Sequence, residues 1–377
     1  YRSIAKEAIK KINFNVDLDA RVETLSVADK QLIAISRALF HNAKLIIMDE
    51  PTTALTKKEV SRLFRIIEEL KKEGITILFV SHKIDEVFEI SDRITILRNG
   101  ENVYESSIKD MTEEKFTYYM TGREIDTTDT KEEKDFSKSE KVLEVRNLSA
   151  RGFKNISFDL HSGEILGIAG QLGSGRTELS LALFGMIKPS NGSISVSGEM
   201  VTLNSVKDAQ NKGIALVPED RLTEGLFLQQ AIYKNISVTS LKEISGKFGV
   251  INECREKDLS NHWVEEIGVA TSDQALPVQT LSGGNQQKVV LARWISTNPK
   301  ILILNGPTVG VDIGAKFDIH KLLRNLAMEG MAVLIVSDDM AEVTALCDRV
   351  LIMKGGDMTG EFIGKEITDE NLYKSTI

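Results

Sequence analysis

Two stretches of this 377-residue chain are near copies of one another, and that repetition limits the fold more than any other feature. LSVADKQLIAISRALFHNAKLIIMDEPTTALT begins at Leu25 and LSGGNQQKVVLARWISTNPKILILNGPTVGVD at Leu281, an offset of 281 − 25 = 256 positions. The register holds without a gap to Asp92-Arg93 against Asp348-Arg349, and to Gly100 against Gly356. The chain therefore contains two homologous units. In each, a Leu-Ser turn opens a helix of apolar period 3.6, carried in the first copy by Leu32, Ile35, Ser36 and Leu39. An all-apolar strand, a Pro-containing turn, a charged helix and a second apolar strand follow, and a short strand comes after Asp-Arg. Apolar strands alternating with helices predict an α/β fold with a parallel sheet covered on both faces.

The second unit has more material upstream. VLEVRNLS and KNISFDL alternate as strands with one wet face, and GEILGIAGQLGSGRTELSLALFG reads as strand, glycine-rich turn and helix. The first unit has no counterpart to this. We expect it to be partial, spanning 1–120, with a polar, charged linker over 121–141 and the second unit over 142–377. The chain does not begin with Met and enters in mid-pattern, so the start of a longer protein is expected upstream of Tyr1.

Bulk properties exclude several classes. A net charge of −8 argues against nucleic acid as the main partner, because phosphate neutralisation needs a basic face. Cys254 and Cys347 are too few for a disulfide scaffold or a zinc site and read as reduced thiols. No apolar run reaches the ~18 residues that a membrane-spanning helix needs. The charged opening YRSIAKEAIKKI is no signal peptide.

Three sets of residues carry chemistry. GQLGSGRT, Gly170 to Thr177, follows the phosphate-loop pattern G-x-x-x-x-G-K-[ST] with Arg176 in place of lysine. Glycines at 170, 173 and 175 let backbone N–H groups turn inward around Ser174, the next helix adds its positive end, and Thr177 stands where a hydroxyl would meet Mg²⁺. Arg176 keeps the charge but as a planar fork, so binding should survive better than catalysis. In the first unit, Asp49 and Glu50 end the strand LIIM; the aspartate suits Mg²⁺ held through water and the glutamate suits orienting or deprotonating an attacking water. His82 ends the next strand, where an imidazole can reach a γ-phosphate. The matching positions of the second unit are Asn305, Gly306 and Asp338: an amide, no side chain, and an acid that would repel phosphate. Solvated turn acids and a glycine-rich turn are the plain alternatives, weakened by the strand–loop–helix setting on both sides of the loop and by the apolar strand that ends at Asp49-Glu50.

A phosphate loop, the segment LSGGNQQ (Leu281 to Gln287), a strand ending in DEP and a strand ending in SH resemble the nucleotide-binding domains of ATP-binding cassette (ABC) transporters. The combination is similar to the tandem ATP-binding subunits of simple-sugar importers of the ribose, galactose and xylose type. Gly175-Arg176-Thr177-Glu178, Glu219-Asp220-Arg221 and the segment Gly310 to Lys316 match motifs of their second cassettes. The resemblance covers essentially the whole chain. It implies P-loop NTPase cassettes in tandem, each with an antiparallel β subdomain and a helical subdomain. It implies ATP and Mg²⁺ as ligands, membrane permease subunits and through them an extracytoplasmic sugar-binding protein as partners, and a peripheral place on the cytoplasmic face of the plasma membrane. Leu226 to Leu241 would meet the permease. In such proteins each ATP lies between one cassette's phosphate loop and the other's signature. That assigns Ser282, Gly283 and Gly284 to the site of Asp49, Glu50 and His82, whose loop is expected upstream of Tyr1. The loop at Gly170 would face Val27, Ala28 and Asp29, which replace signature glycines. That second site is expected to bind nucleotide and hydrolyse it poorly. Asn305-Gly306 departs from the acidic DEP usual even in second cassettes. Three alternatives stay open: a non-transport cassette acting in translation or repair, disfavoured by the short linker; a regulatory nucleotide-binding module; and a degenerate, inactive remnant.

Overall fold

The computed structural model describes residues 16–41, 43–52, 55, 57–81, 83–98, 100–122, 134–136, 138–246 and 248–376, with 2, 5, 6 and 9 ahead of them; at 27, 28, 57 and 58 it describes the backbone alone. Two compact units make up the chain, Tyr1–Thr127 and Thr128–Ile377. Most of the polar stretch between them, 123–133, lies outside the described residues.

In the first unit, strands β1 (Leu45–Asp49) and β2 (Thr76–Val80) pair in parallel, Leu45 opposite Thr76 and Asp49 opposite Val80. Strands β3 (Arg93–Arg98) and β4 (Glu101–Ser107) form an antiparallel hairpin. Helices Val27–Phe40 and Lys57–Lys72 cover one face of the parallel pair, burying Ile46 and Met48 against Leu32, Ile35, Leu39, Phe64 and Ile67. Among the described residues nothing covers the other face. Alternation is the cause: Leu45, Ile47 and Asp49 point the opposite way from Ile46 and Met48, and Ile47 is 63% exposed and Leu78 51%.

In the second unit the equivalent face of the sheet carries a layer of its own. Antiparallel strands β5 (Lys141–Ala150) and β6 (Phe153–His161) precede the central β7 (Ile165–Ala169); β8 (Asn191–Val196) and β9 (Glu199–Val201) complete a four-stranded sheet in the order β6-β5-β8-β9. Strands β10 (Ile214–Val217), β11 (Ile301–Asn305), β12 (Ala332–Ser337), β13 (Arg349–Lys354) and β14 (Asp357–Ile363) join β7 in a six-stranded sheet ordered β10-β11-β12-β7-β13-β14. All its pairings are parallel except the last.

One core cluster lies on each side of this sheet. Ile303, Leu334 and Val336 pack with Leu179, Leu183 and the β5–β8 layer, while Leu302, Leu304 and Ile335 pack with the helices Gly283–Ile295 and Ile313–Met328. Both β11 and β12 are buried at every residue, as continuous apolar runs require. Ile303, the repeat mate of Ile47, is 0% exposed.

The repeat extends to individual hydrogen bonds. Glu50 N–H donates to the Val80 carbonyl and Gly306 N–H to the Val336 carbonyl, both at 2.8 Å. Thr52 Oγ1 donates to Glu86 at 2.6 Å, and Thr308 Oγ1 donates to Glu342 at 2.5 Å. Burial raises the Glu342 pKa, against the pull of the Thr308 donor. A threonine after the strand thus ties each Pro-containing turn to the helix after the next strand.

Candidate phosphate site and its repeat mate

The loop Gly170–Thr177 leaves the carboxyl end of β7, in the crevice outside the strand ends where open parallel sheets take their ligands. Its shape needs glycine. Gly175 holds φ +94°, and a side chain there would run into the Gly152 carbonyl. A Cβ at Gly170 would meet the Met353 carbonyl at 2.5 Å and Ser174 Oγ at 2.6 Å. Gly173 has nothing within 4 Å of its Cβ position, so this side of the loop is open. Ser174 is buried, and its Oγ finds no partner among the described residues. A buried orphan hydroxyl and a helix N-terminus at Arg176 fit a bound phosphate. Glu178, next in the motif, has its Cγ 2.9 Å from the Cβ position of Gly152.

Arg176 is 4% exposed. One guanidinium nitrogen donates to the Gly170 carbonyl across the loop, and Nη2 pairs with Asp338 Oδ1 at 3.3 Å. The pairing follows from topology. Strand β12 runs parallel to β7 with Ser337 opposite Ala169, so the next residue of each strand, Asp338 and Gly170, lies at the same level.

Asn305 ends β11 fully inside the protein. Its Nδ2 donates to Ser180 Oγ at 2.9 Å, on the helix that follows the loop, while its Oδ1 is buried without a partner among the described residues. Gly306 adopts φ +51°, and Glu50, its repeat mate, adopts φ +42°. A glutamate retained in the left-handed region is strained where a glycine is not, and such strain concentrates at functional positions. A cavity of about 800 Å³ brings Thr177, Asn305 and Trp294 together with Glu219, Asp220 and Arg221. The Cγ of Glu219 lies 3.6 Å from the Cβ position of Gly306, a proximity that sequence spacing gave no sign of. For Mg²⁺ the strand end of the second unit is a poor match: Asn305 and Gly306 are neutral, Thr177 adds a neutral hydroxyl, and Asp338 is engaged by Arg176, which leaves Glu219 as the carboxylate beside Gly306.

In the first unit, Asp49 and Glu50 sit side by side at the end of β1, with Asp49 on the uncovered face. Two carboxylates at that strand end do suit a hard divalent cation. His82 lies outside the described residues. Ser26 caps the helix Val27–Phe40, accepting from Asp29 N–H at 3.1 Å and donating to the Asp29 carboxylate at 2.9 Å. That helix start is therefore closed by its own acid.

The second unit's signature helix starts differently. Ser282 makes no cap bond to the backbone; its Oγ accepts from Asn285 Nδ2 at 3.1 Å. Gly283 and Gly284 are small for packing reasons as well as access. A Cβ on Gly283 would meet Arg221 Nη2 at 2.8 Å, and one on Gly284 would collide with Ala315. Arg221 donates to the carbonyls of Val309 at 2.7 Å and Gly310 at 3.0 Å, and burial lowers its pKa. Asp220 accepts from Leu222 and Thr223 N–H at 2.9 and 3.2 Å. The segment Glu219-Asp220-Arg221 thus braces the start of the signature helix against the turn after β11.

Comparison with known proteins accords with this geometry. A sequence profile of the ABC transporter family matches residues 1–53 and 153–309. The chain is 40% identical over 374 residues to a ribose import ATP-binding protein of Clostridium perfringens, covering 99% of this chain and 74% of that protein. It is 39% identical over 372 residues to the ribose import ATP-binding protein of Bacillus subtilis, covering 98% and 75%. Among solved structures, a nucleotide-free ATP-binding cassette from an ABC transporter superposes with a TM-score of 0.55 at 20% identity, over 62% of this chain and 95% of that one. A dimeric bacterial ABC transporter cassette gives 0.52 at 20% identity, over 59% and 99%. Both likenesses concern the fold: a parallel α/β core with an added antiparallel sheet. With profile and relatives spanning both units, the chain belongs to the ABC transporter family, as an ATP-binding subunit.

Proposed function

We propose that this chain energises the import of a simple sugar, ribose being the sugar named for its relatives, with hydrolysis assigned to the acids of the first unit and nucleotide retention to the loop of the second. One observation carries the division: Glu50 is kept as a glutamate in a left-handed conformation where its repeat mate has become glycine. Asp49 would hold Mg²⁺, which when bound neutralises charge on the transferred phosphate. Glu50 orients the attacking water and takes its proton, and His82 reaches the terminal phosphate. In the second unit the loop Gly170–Thr177 binds the phosphates through backbone amides, while Asn305 and Gly306 supply no base.

Domain limits follow the same reading, with the first cassette at 1–120, the linker at 121–141 and the second cassette at 142–377. No helix among the described residues is long and apolar enough to cross a membrane. Coupling to transport would run through membrane permease subunits. The subunit would sit peripherally on the cytoplasmic face of the plasma membrane. In the segment 226–241 proposed to meet the permease, Leu226, Ile232, Asn235 and Ile236 are buried, while Phe227, 56% exposed, and Leu241, 39% exposed, are the large apolar side chains at the surface that would make the contact.

Disruption of the gene should abolish uptake of labelled ribose, and the wild-type gene should restore it where Glu50→Gln does not. Uptake that persists at the wild-type rate without the gene would reject the transport role. The degenerate second site favours one further reading, a regulatory nucleotide-binding module. In that case Glu50→Gln would restore uptake as well as the wild type does.

A further inference from the structure

Arg176 is the cation of the only phosphate-loop motif in the chain, and it is already paired. Its guanidinium is buried, tied to the Gly170 carbonyl on one side and to Asp338 on the other. Asp338 is half exposed, with side-chain accessibility of 53%, and stands at the mouth of the loop where β12 ends beside β7. The loop's remaining recognition groups carry no formal charge: the orphan hydroxyl of Ser174 and the helix start at Arg176.

We propose that the Asp338 carboxylate takes the place of a terminal phosphate on Arg176, so that this loop is a site for nucleoside diphosphates rather than triphosphates. The inference rests on the reading of Gly170–Thr177 as a nucleotide site and specifies its ligand. A triphosphate must bring its last, doubly anionic group against a fixed carboxylate, or displace that carboxylate from its guanidinium; both cost binding energy at short range and reduced dielectric. A diphosphate meets the amides and the helix start and leaves the ion pair in place. Asn305 and Gly306 add no positive charge or bound cation that could offset the third phosphate.

Both tryptophans, Trp263 and Trp294, belong to the second unit, and Trp294 lines the cavity that contains Thr177. Energy transfer from tryptophan to methylanthraniloyl-ADP or methylanthraniloyl-ATP therefore reads this site. Titrations are done in EDTA, so that only the chain's own groups are compared. The wild-type chain should bind the diphosphate about 10-fold or more tightly than the triphosphate, a difference of about 1.4 kcal/mol. Asp338→Ser should raise triphosphate affinity by about 10-fold and erase the preference, with diphosphate affinity little changed. Asp338→Asn, nearly isosteric, should do the same, which separates charge from shape. Tighter triphosphate binding in the wild type, or an unchanged ratio in both variants, would overturn the proposal. Failure of the folded wild-type chain to bind either nucleotide would instead reject the underlying assignment of the loop.

Discussion

Glu50 and Gly306 show how one backbone conformation, inherited twice, can be used in two ways. Both sit at the left-handed φ that the turn after the strand demands, and both give their N–H to the neighbouring strand. Restoring an acid at the second position is therefore not a simple reversal. In Gly306→Glu the new Cβ would lie 2.7 Å from Val309 Cγ2 and beside Glu219. We expect a loss of stability of about 1–3 kcal/mol by denaturant titration. Phosphate release should stay within a few-fold of the wild type, because Asp338 and Asn305 remain. Fast turnover in that single variant would contradict the assignment. The identities at 305, 306 and 338 could be read from the repeat alone. The Arg176–Asp338 pair and the approach of Glu219 could not, since each joins segments far apart in the chain.

A second residue gives the molecule a pH dependence. His320, on the helix Ile313–Met328, has its pKa lowered to about 3 by burial, with Lys316 and Arg324 adding to the effect and Asp339 opposing it. Its Nε2 is buried without a partner among the described residues. The folded state keeps the ring neutral while the unfolded chain protonates it near pH 6.5, so stability falls as pH drops below 6.5 toward the folded value. Between pH 7.5 and 5.5 this residue should contribute a loss of about 1.3 kcal/mol. His320→Gln should flatten the profile of unfolding free energy by that amount, and an unchanged profile would show that the ring titrates normally.

At the scale of elements, the paired strands test what covers them. The sequences LIIM and ILIL predict buried strands alike, and the apolar run gives no sign that one copy keeps a bare face. The difference comes from the helix Arg176–Leu183 and the β5–β8 layer, which have no equivalent among the described residues of the first unit. Ile303→Ala should cost about 2–5 kcal/mol as a core truncation. Ile47→Ala, at the same repeat position, should cost less than about 1 kcal/mol. Comparable losses measured by denaturation would mean that the β1–β2 face is covered in solution. The hairpin partners β4 and β14 escaped the sequence reading for a related reason: their mixed polar composition leaves the alternation weak.

For the whole molecule, the repeat makes the two-unit organisation visible in the sequence, while the different motifs of the two units decide how each should respond to ligand. Only the second unit holds a phosphate loop among the described residues, and that loop leaves the central strand of its six-stranded sheet. A ligand that binds the folded form stabilises it by RT ln(1 + [L]/Kd), about 2.7 kcal/mol at a hundredfold excess over Kd. With ADP at that level, amides of β7, β11 and β12 that exchange through unfolding of the second unit should slow by about 100-fold. Those of β1 and β2 in the first unit should keep their rates. Hydrogen exchange followed by mass spectrometry reads both sets in one sample. Equal protection of β1 and β2 would place nucleotide at the first unit as well, and protection of β1 and β2 alone would reverse the roles assigned to the two repeats.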